Sequence, residues 1–371
     1  MIPATRRIPP TKIEFCAADR QEIGARIERC LSTGQVALGE NVREFERNFG
    51  QYNGSKFAVS VSNGGTAIEA LMCVMGAAGR EVLVPTNTAF ATAAGVIRAG
   101  GVAKLVDMDP VTFSVSLEEL QGAASDRTAG VIVVHIGGII TPEILKIREW
   151  CDSRGLWLVE DCAHAHGSEF GGRRAGTFGV AGAYSFFATK VMTTGEGGMV
   201  VTDDERIAQS VLRIRDYGKP NPWVTYSAEL GANWRLTEWS AAVGVVQLRR
   251  LDELIAWRGR IAEYYTQGLG AIPDLTPVLP ADRCSWYKYI VLLPSGIDRE
   301  QFKAAAKEKG VSLSGGVYDV PLHRQPVFEG KVTGAFPNAD DVCCRHVCLP
   351  LYYGMSKEEA AYVIDTLKSI L

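Results

Sequence analysis

The sequence predicts an α/β protein built on a mostly parallel seven-stranded sheet that lies between helices. Two observations support this fold class. Short β-branched apolar runs alternate with helical stretches from about residue 55 to 205, and this repetition is typical of a parallel sheet. The apolar runs also lack polar and apolar alternation, as strands buried on both faces should. A chain of 371 residues is too long for one ordinary core and suits two domains.

The strands and the helices between them can be placed in order along this part of the chain. The predicted strands cover residues 57–62, 81–85, 102–109, 129–137, 156–163, 183–187 and 198–204. The predicted helices between the earlier strands cover residues 65–79, 92–101 and 141–155. Gly79, Gly100 and Gly155 lie where these helices end, and glycine is a common C-terminal stop signal of a helix.

The rest of the chain is more helical. Residues 205–218 predict a helix, and residues 237–272 have apolar spacing long enough for a helix that connects two domains. A strand and two helices of a small α+β domain follow at 285–294, 298–310 and 356–371. We therefore predict a large domain over residues 1–248, with an N-terminal arm, and a small C-terminal domain over residues 249–371.

Composition and charge argue against several classes of protein. The net charge is −3, and no lysine- and arginine-rich run carries interleaved aromatic residues, so nucleic acid is not expected as a partner. The nine cysteines show neither CxxC nor Cys/His spacing, which favours reduced thiols and no metal site. No segment has the roughly 18 apolar residues of a membrane helix, and the N-terminus does not resemble a secretory signal. We expect a cytoplasmic protein that binds no membrane.

A glycine-rich turn, SNGGTAIEAL (62–71), joins the first predicted strand to a helix. The free backbone N–H groups and the dipole of such a helix start favour an anion, and the Thr66 hydroxyl can add a donor. The turn is neither a Walker loop nor GxGxxG, which argues against ATP or a dinucleotide. A purely structural turn is the alternative interpretation.

A carboxylate and two histidines follow the fifth predicted strand in EDCAHAHG (160–167). A buried Asp161 would need a cation or a proton-bearing partner to offset its desolvation. The alternatives are that Asp161 caps a turn and that His164 and His166 are hydrogen-bonded core residues.

Lys190 lies between the apolar run AYSFF and the glycine-rich TTGEGG. Burial would favour its neutral amine, which Schiff-base chemistry needs, and the glycines allow the backbone to turn sharply beside a bulky group. A lysine that extends to solvent from a strand end is the alternative.

An anion-binding turn, Asp161, His164 and Lys190 at adjacent strand ends together suggest pyridoxal phosphate. This cofactor needs an anion site for its phosphate, an amine for its aldehyde and a carboxylate for its ring nitrogen. Phe90, after the second strand, could stack on the ring face.

The ordered motifs SNGGTA, PTNTAFATA, EDCAHAHGS, SFFATKVMTTGEGG, GANWRLTE and VPLHRQPVF resemble those of the DegT/StrS-type (DegT/DnrJ/EryC/StrS) sugar aminotransferases. The resemblance extends from about residue 12 to the end and implies a fold type I pyridoxal-phosphate transferase. It makes Lys190 the cofactor-binding lysine and catalytic acid/base, Asp161 the partner of the ring nitrogen, and His164 the contact of the ring hydroxyl. The phosphate-binding positions that it implies are Gly64, Gly65, Thr66 and Ser185.

The resemblance also implies the partners. Asn233 would reach the phosphate in the neighbouring subunit, which implies a homodimer with shared active sites. The substrates implied are glutamate and a nucleotide-activated keto sugar, usually dTDP- or UDP-linked, that is aminated at C3 or C4 in a secondary-metabolite (antibiotic) or surface-glycan pathway. The implied substrate-side residues are Tyr217, Arg235, Tyr318, His323 and Arg324.

Two segments depart from the family pattern. HIGGII (135–140) carries isoleucines where many relatives are polar, which suggests a less polar sugar pocket such as a deoxysugar would permit, and SWYKYIVL (285–292) replaces a histidine-bearing strand. Family members with histidine in place of the lysine dehydrate sugars, and Lys190 argues against that reaction. The alternatives are an aminotransferase for a free cyclitol ketone and a regulatory or sensor protein that binds the cofactor without turnover.

Overall fold

The computed structural model describes residues 7–371, which form a large helix-covered sheet and two smaller sheets. The helices are α1 (Ala17–Thr33), α2 (Glu40–Asn53), α3 (Gly64–Val74), α4 (Phe90–Arg98), α5 (Leu117–Ala123), α6 (Ile144–Ser153), α7 (Glu205–Ile214), α8 (Glu238–Arg249), α9 (Leu251–Leu269), α10 (Arg299–Glu308), α11 (Pro337–Arg345) and α12 (Lys357–Ile370). The strands are β1 (Phe57–Val61), β2 (Glu81–Pro85), β3 (Val102–Val106), β4 (Thr128–Val134), β5 (Trp157–Asp161), β6 (Glu169–Phe170), β7 (Arg173–Arg174), β8 (Ala181–Ser185), β9 (Gly198–Thr202), β10 (Thr276–Pro277), β11 (Tyr289–Leu292) and β12 (His346–Leu349).

The large sheet has the strand order β1-β9-β8-β5-β4-β2-β3. β2 pairs in parallel with β3 and β4, and β5 pairs in parallel with β4 and β8. β9 pairs antiparallel with both β8 and β1, so it alone in this sheet runs opposite to the other six strands. The seven predicted strands are all present, and the prediction of a mostly parallel sheet is confirmed. The carboxyl ends of six strands therefore meet at one edge of the sheet.

The central strands are covered on both faces. Every residue of β4, β8 and β9 is buried, which is why their sequences are continuous apolar runs without alternation. α3 packs against β8 and β9, and α4 packs against β2 and β3. The residues at the carboxyl edge of the sheet are therefore attached to strands that are packed on both faces.

The carboxylate of Glu160 is a buried acceptor at the centre of this sheet. Its two oxygens accept the backbone N–H groups of Gly176, Phe178 and Gly179, each at 2.7 Å. His135 Nε2 lies 2.9 Å from Glu160 Oε2 and donates to it, and both side chains are fully buried. Glu160 therefore fixes the segment that leads into β8.

The C-terminal part of the chain has its own sheet and its own core. β10, β11 and β12 form an antiparallel three-stranded sheet in that order. A second hydrophobic cluster contains Tyr265 of α9, Tyr289 of β11, Val363 of α12 and also Ile8 from the N-terminal segment. The predicted boundary between residues 248 and 249 falls within the last turn of α8 and stays a prediction.

The segment 237–272 forms two helices instead of the predicted single helix. α8 ends and α9 begins around Arg250, whose guanidinium binds Asp19 of α1 and Glu253 of α9. Asp252 and Glu253 lie in the first turn of α9, where negative charge favours a helix start. The two ion pairs of Arg250 stabilise the junction between α8 and α9. Apolar spacing alone does not show where such ion pairs form.

Among residues 7–371, no helix combines the length and the apolar character that a membrane crossing requires.

Replacement of the buried acceptor, Glu160→Gln, should lower the free energy of unfolding by about 2–4 kcal/mol, because an amide cannot accept all the N–H groups that the carboxylate accepts. Urea unfolding followed by circular dichroism measures this change. The matched control is Glu300→Gln at an exposed position, which should change the free energy of unfolding by less than about 0.5 kcal/mol. Equal effects of the two substitutions would contradict the role given to Glu160.

Candidate active site

A cavity at the carboxyl edge of the large sheet brings together most of the residues predicted to bind the cofactor. It is lined by Gly64, Gly65, Ile68, Thr88, Ala89, Ala91, Val134, Asp161, Ala163, His164, Ser185, Lys190 and Tyr318. A larger open cleft around Met75, Arg148 and Arg206 contains none of the predicted site residues. The smaller cavity, and not the larger cleft, is therefore the candidate active site.

Lys190 follows the end of β8 and faces this cavity from a partly buried position. Its Nζ lies 4.6 Å from the centre of the Tyr287 ring. Burial lowers the pKa of Lys190 from an ordinary 10.5 to about 8; the Asp161 carboxylate opposes this shift and Lys288 adds to it. About a tenth of the amine is therefore neutral and nucleophilic at pH 7, far more than for an ordinary lysine.

Asp161 is the last residue of β5 and is buried. Thr92 of α4 donates its hydroxyl to Oδ2 at 2.8 Å, and the Ala163 N–H donates to Oδ1 at 3.1 Å. The Thr92 hydroxyl in turn lies 2.9 Å from that of Thr88. These donors hold the carboxylate in one orientation at the floor of the cavity.

His164 is buried and neutral in the cavity wall. Burial lowers the pKa of His164 well below its usual range, and nearby cationic groups add to the effect. The Gly137 N–H donates to Nδ1 at 3.3 Å, so a neutral ring carries its proton on Nε2. Nε2 lies 3.3 Å from the Tyr318 hydroxyl, and the imidazole stacks on Tyr287 with ring centres 4.2 Å apart. The tautomer is therefore fixed, with its N–H directed towards Tyr318.

His166, by contrast, lies in the core. Its ring centre is 5.2 Å from that of Tyr184 and 5.5 Å from that of Phe186. Burial lowers the pKa of His166 to about 3, so the ring is neutral. The placement agrees with a core histidine, but neither ring nitrogen has a hydrogen-bond partner among residues 7–371, so the hydrogen bonds of that alternative are not seen.

The glycine-rich turn forms the N-terminus of α3 at one end of the cavity. Asn63 caps this helix through a hydrogen bond from the Thr66 N–H, and Thr66 Oγ1 accepts the Asn63 N–H in return. A Cβ on Gly64 would lie 2.6 Å from Ser185 Cβ, so only glycine allows this approach between the helix start and the end of β8. Gly64, Gly65 and Ser185 line the cavity, whereas the Thr66 hydroxyl serves the cap; its predicted phosphate contact stays a prediction.

Phe90 lies at the first position of α4, outside the residues that line the cavity. Its side chain is 46% exposed and meets Phe328 edge-on at 6.2 Å. Its neighbours Ala89 and Ala91 line the cavity instead. The predicted stacking of Phe90 on a cofactor ring stays a prediction.

His323 and Arg324 lie beside a separate cleft around Phe336 and Asp340. His323 bridges the carboxyl end of β2 and α11, because Nδ1 lies 2.8 Å from Thr86 Oγ1 and Nε2 lies 2.9 Å from Asp340 Oδ1. Arg324 forms two hydrogen bonds with the same Asp340 carboxylate. Of the predicted substrate-side residues, only Tyr318 lines the cavity.

Tyr217, Asn233 and Arg235 lie together in the segment between α7 and α8, outside the residues that line the cavity. The Arg235 guanidinium pairs with Asp216 and lies 5.1 Å from the centre of the Tyr217 ring. Asn233 forms an isolated antiparallel bridge with Asp216. The three residues form a cluster, and their predicted contacts stay predictions.

Tyr287 and Lys288 lie next to the cavity without lining it, and the sequence reasoning identified neither: the Tyr287 ring stacks on His164 and is approached by both Lys190 and Lys288. They come from the segment before β11, nearly a hundred residues after Lys190, and no local motif marks them. The only signal was that SWYKYIVL departs from the family pattern. Thr92, which orients Asp161, was also missed because a helical threonine is ordinary in sequence.

Comparison with known proteins gives consistent matches along the chain. The model of the DegT/DnrJ/EryC1/StrS aminotransferase family matches residues 17–368. A dTDP-3-amino-3,4,6-trideoxy-alpha-D-glucose transaminase from Micromonospora megalomicea subsp. nigra is 30% identical, with 95% of this chain and 96% of the relative covered. A GDP-perosamine synthase from Escherichia coli O157:H7 is 29% identical, with 92% and 93% covered. The crystal structure of DesV from S. venezuelae superposes with a TM-score of 0.92 at 29% identity, with 98% of each chain covered.

The lowered pKa of Lys190 predicts how its reactivity depends on pH. Only the neutral amine reacts, so reductive methylation of Lys190 in the ligand-free protein should rise with pH to half of its maximal rate at about pH 8. Mass spectrometry of the Lys190 peptide measures the rate. Asp161→Asn removes a carboxylate that favours the ammonium form and should move the midpoint to lower pH. A midpoint near 10.5 in the unaltered protein would refute the buried amine.

Proposed function

The chain belongs to the DegT/DnrJ/EryC1/StrS aminotransferase family, and from this premise we propose that it transfers the amino group of glutamate to a nucleotide-activated keto sugar. The proposed acceptor is a dTDP- or UDP-linked deoxysugar that is aminated at C3 or C4. Relatives named for dTDP- and GDP-sugar products support this substrate class. The proposed pathway class is amino-sugar synthesis for a secondary metabolite or a surface glycan.

The enzyme is a pyridoxal-phosphate-dependent aminotransferase with the fold of that class. The residues of the cavity fit this cofactor in three respects. Lys190 offers a partly neutral amine, Asp161 offers a buried and oriented carboxylate, and the start of α3 beside Ser185 offers backbone N–H groups to a phosphate. When bound, pyridoxal phosphate supplies an aldehyde that carries the amino group and a ring that accepts electron density.

We assign proton transfer to Lys190, and its low pKa is the single observation that carries the proposal. The neutral Nζ accepts a proton from the α-carbon of glutamate in the first half-reaction, and the ammonium form returns a proton to the sugar carbon in the second. A group that must act both as base and as acid works best with a pKa near the operating pH. A pKa of about 8 meets that requirement.

Asp161 and His164 would hold the cofactor ring in a fixed electronic state. The Asp161 carboxylate would pair with a protonated ring nitrogen, since its two donors hold it in one orientation. The neutral His164 directs its Nε2–H towards Tyr318, from where it can also reach a ring hydroxyl. Tyr318 would then contact the substrate from the side of the C-terminal segment.

The proposal of a deoxysugar acceptor is supported by the names of the relatives and not by the isoleucines of HIGGII. Ile139 and Ile140 are buried in the main core and do not line the cavity. The sequence-based reason for a less polar sugar pocket therefore has no support from their placement. The names of the relatives still favour a deoxysugar.

A homodimer with shared active sites is part of the proposal. The segment between α7 and α8 exposes large apolar side chains, with Trp223 91% and Leu230 95% exposed, and Tyr226 beside them. Contiguous exposed apolar side chains of this kind are typical of subunit interfaces. Asn233 belongs to the same segment, which supports its proposed reach into the neighbouring subunit.

The first test separates transamination from cofactor binding without turnover. The holoenzyme incubated with glutamate alone should convert the absorbance of the bound cofactor to that of its amine form and release one 2-oxoglutarate per site. Lys190→Ala should slow this conversion by about 10³-fold or more, because the proton carrier is lost. Absence of conversion in the unaltered holoenzyme would favour the regulatory or sensor alternative. A panel of nucleotide keto sugars and free cyclitol ketones, with NMR of the products, then identifies the acceptor.

The second test concerns the shared site. Inactive Lys190→Ala and Asn233→Asp proteins, unfolded and refolded together, should regain about a quarter of the unaltered activity, because a mixed dimer has one site with neither substitution. Each variant refolded alone is the control. No regain, with mixed dimers shown by mass spectrometry, would mean that each subunit has a self-contained site.

A further inference from the structure

Lys288 is a second lysine close to Lys190. No local motif marks it in the sequence, and none of the roles proposed above uses it. Its Nζ lies 5.2 Å from the centre of the Tyr287 ring, the same ring that Lys190 Nζ approaches to 4.6 Å. Its backbone N–H donates to Gly137 O at 3.2 Å, which anchors it to the loop that also contacts His164. Both lysines therefore approach one aromatic ring, which stacks on His164 of the cavity wall, although Tyr287 and Lys288 are not themselves among the lining residues.

The Lys288 ammonium has no counter-ion in the part of the chain that the structure describes, residues 7–371. Burial is the main cause that lowers the pKa of Lys288, and Arg258 adds to it. Cys348 and Asp319 favour a higher pKa of Lys288, but Asp319 is shared with Arg299 at 3.3 Å and with Lys303 at 3.8 Å. A half-buried cation without a partner costs free energy, which an anionic ligand would recover.

Arg258 increases the local excess of positive charge. It is buried, and its Nη1 donates only to the carbonyl oxygens of Trp286 and Leu351. Neither contact neutralises the guanidinium. Lys190, Lys288 and Arg258 thus form a cationic group around Tyr287, and the Asp161 carboxylate acts on Lys190.

We propose that Lys288 binds a carboxylate of the amino donor. The inference rests on the proposed function, since it concerns the substrate of the same cavity. A compact ammonium on a buried stem suits a carboxylate oxygen, and the ion pair is strongest where water is excluded.

The donor is favoured over the acceptor because of where each carries its charge. An amino acid has a carboxylate on the same carbon as the amino group that reacts beside Lys190. A nucleotide sugar has its negative charges on phosphates, which the sugar ring separates from the keto carbon. An anion site that shares Tyr287 with Lys190 therefore suits the donor, whose carboxylate is one bond from the reacting carbon, better than the phosphates of the acceptor, which the sugar ring holds away from its keto carbon.

The experiment uses the holoenzyme and two variants, Lys288→Met, which keeps the length of the side chain without its charge, and Lys288→Arg, which keeps the charge. One readout is the glutamate dependence of the first half-reaction, and the other is calorimetric binding of glutarate, an unreactive dicarboxylate. Lys288→Met should weaken both by about 10- to 100-fold, leave the maximal rate of the half-reaction within a few-fold, and leave the KM of the sugar acceptor unchanged. Lys288→Arg should recover most of the loss.

The control is Lys146→Met, which removes an exposed lysine of α6 that is paired with Glu143 and shares no ionic partner with Lys288. It should change neither readout. The ligand-free Lys288→Met protein should have an unfolding temperature no lower than that of the unaltered protein, because an uncompensated charge is removed. A loss of affinity in Lys288→Met is thereby separated from a loss of folding.

Glutamine as donor identifies the carboxylate. If Lys288 binds the distal carboxylate, Lys288→Met should lose the preference for glutamate over glutamine; if it binds the carboxylate on the reacting carbon, both donors should weaken equally. Unchanged glutarate binding in Lys288→Met, or an effect confined to the KM of the acceptor, would overturn the proposal. If the unaltered enzyme does not react with glutamate, the proposed donor is wrong, and the glutarate titration still decides whether Lys288 binds a carboxylate.

Discussion

The placement of two consecutive carboxylates in β5 is the constraint on which the site depends. Successive side chains of a strand point to opposite faces of the sheet. Glu160 therefore points away from the cavity and accepts the backbone N–H groups of the segment that leads into β8, while Asp161 points into it. Because β5 and β8 are neighbours with Asp161 opposite Ala183, fixing one strand against the other sets the distance between Asp161 and the residues that follow β8, among them Lys190.

The electrostatics of the cavity favour anionic ligands at more than one point. His164 and His166 are both held neutral by burial, so they add no positive charge. The remaining ionised groups near Tyr287 are mostly cationic, with Asp161 as the buried carboxylate. A phosphate at the start of α3 and a carboxylate at Lys288 would together restore the balance, and both are features of an aminotransferase with a bound amino donor.

The sequence was informative about residues that lie at the ends of parallel strands, because their position along the chain also fixes their position at the edge of the sheet. Asp161, Ser185 and Lys190 each lie at or just after the end of an apolar run, and parallel strands bring such positions to one edge. Their meeting in one cavity could therefore be predicted. The positions of Tyr287 and Lys288 could not, because the segment before β11 meets His164 and Lys190 only through packing between distant parts of the chain. The break between α8 and α9 was not predicted for the same reason. Arg250 at the break forms an ion pair with Asp19, which lies more than two hundred residues earlier in the chain.

The cavity is built from two parts of the chain, and they do different work. Asp161, His164, Ser185 and Lys190 line the cavity from the large sheet and the segments that follow its strands, whereas Tyr318 lines it from the C-terminal segment. Contacts between the parts are polar and specific: Ser285 donates to the backbone oxygen of His164 at 2.5 Å, and the Tyr287 hydroxyl lies 3.2 Å from that of Thr189. The C-terminal segment is therefore held directly against His164 and against Thr189, the neighbour of Lys190, so that a change in its packing would be transmitted to both cavity residues.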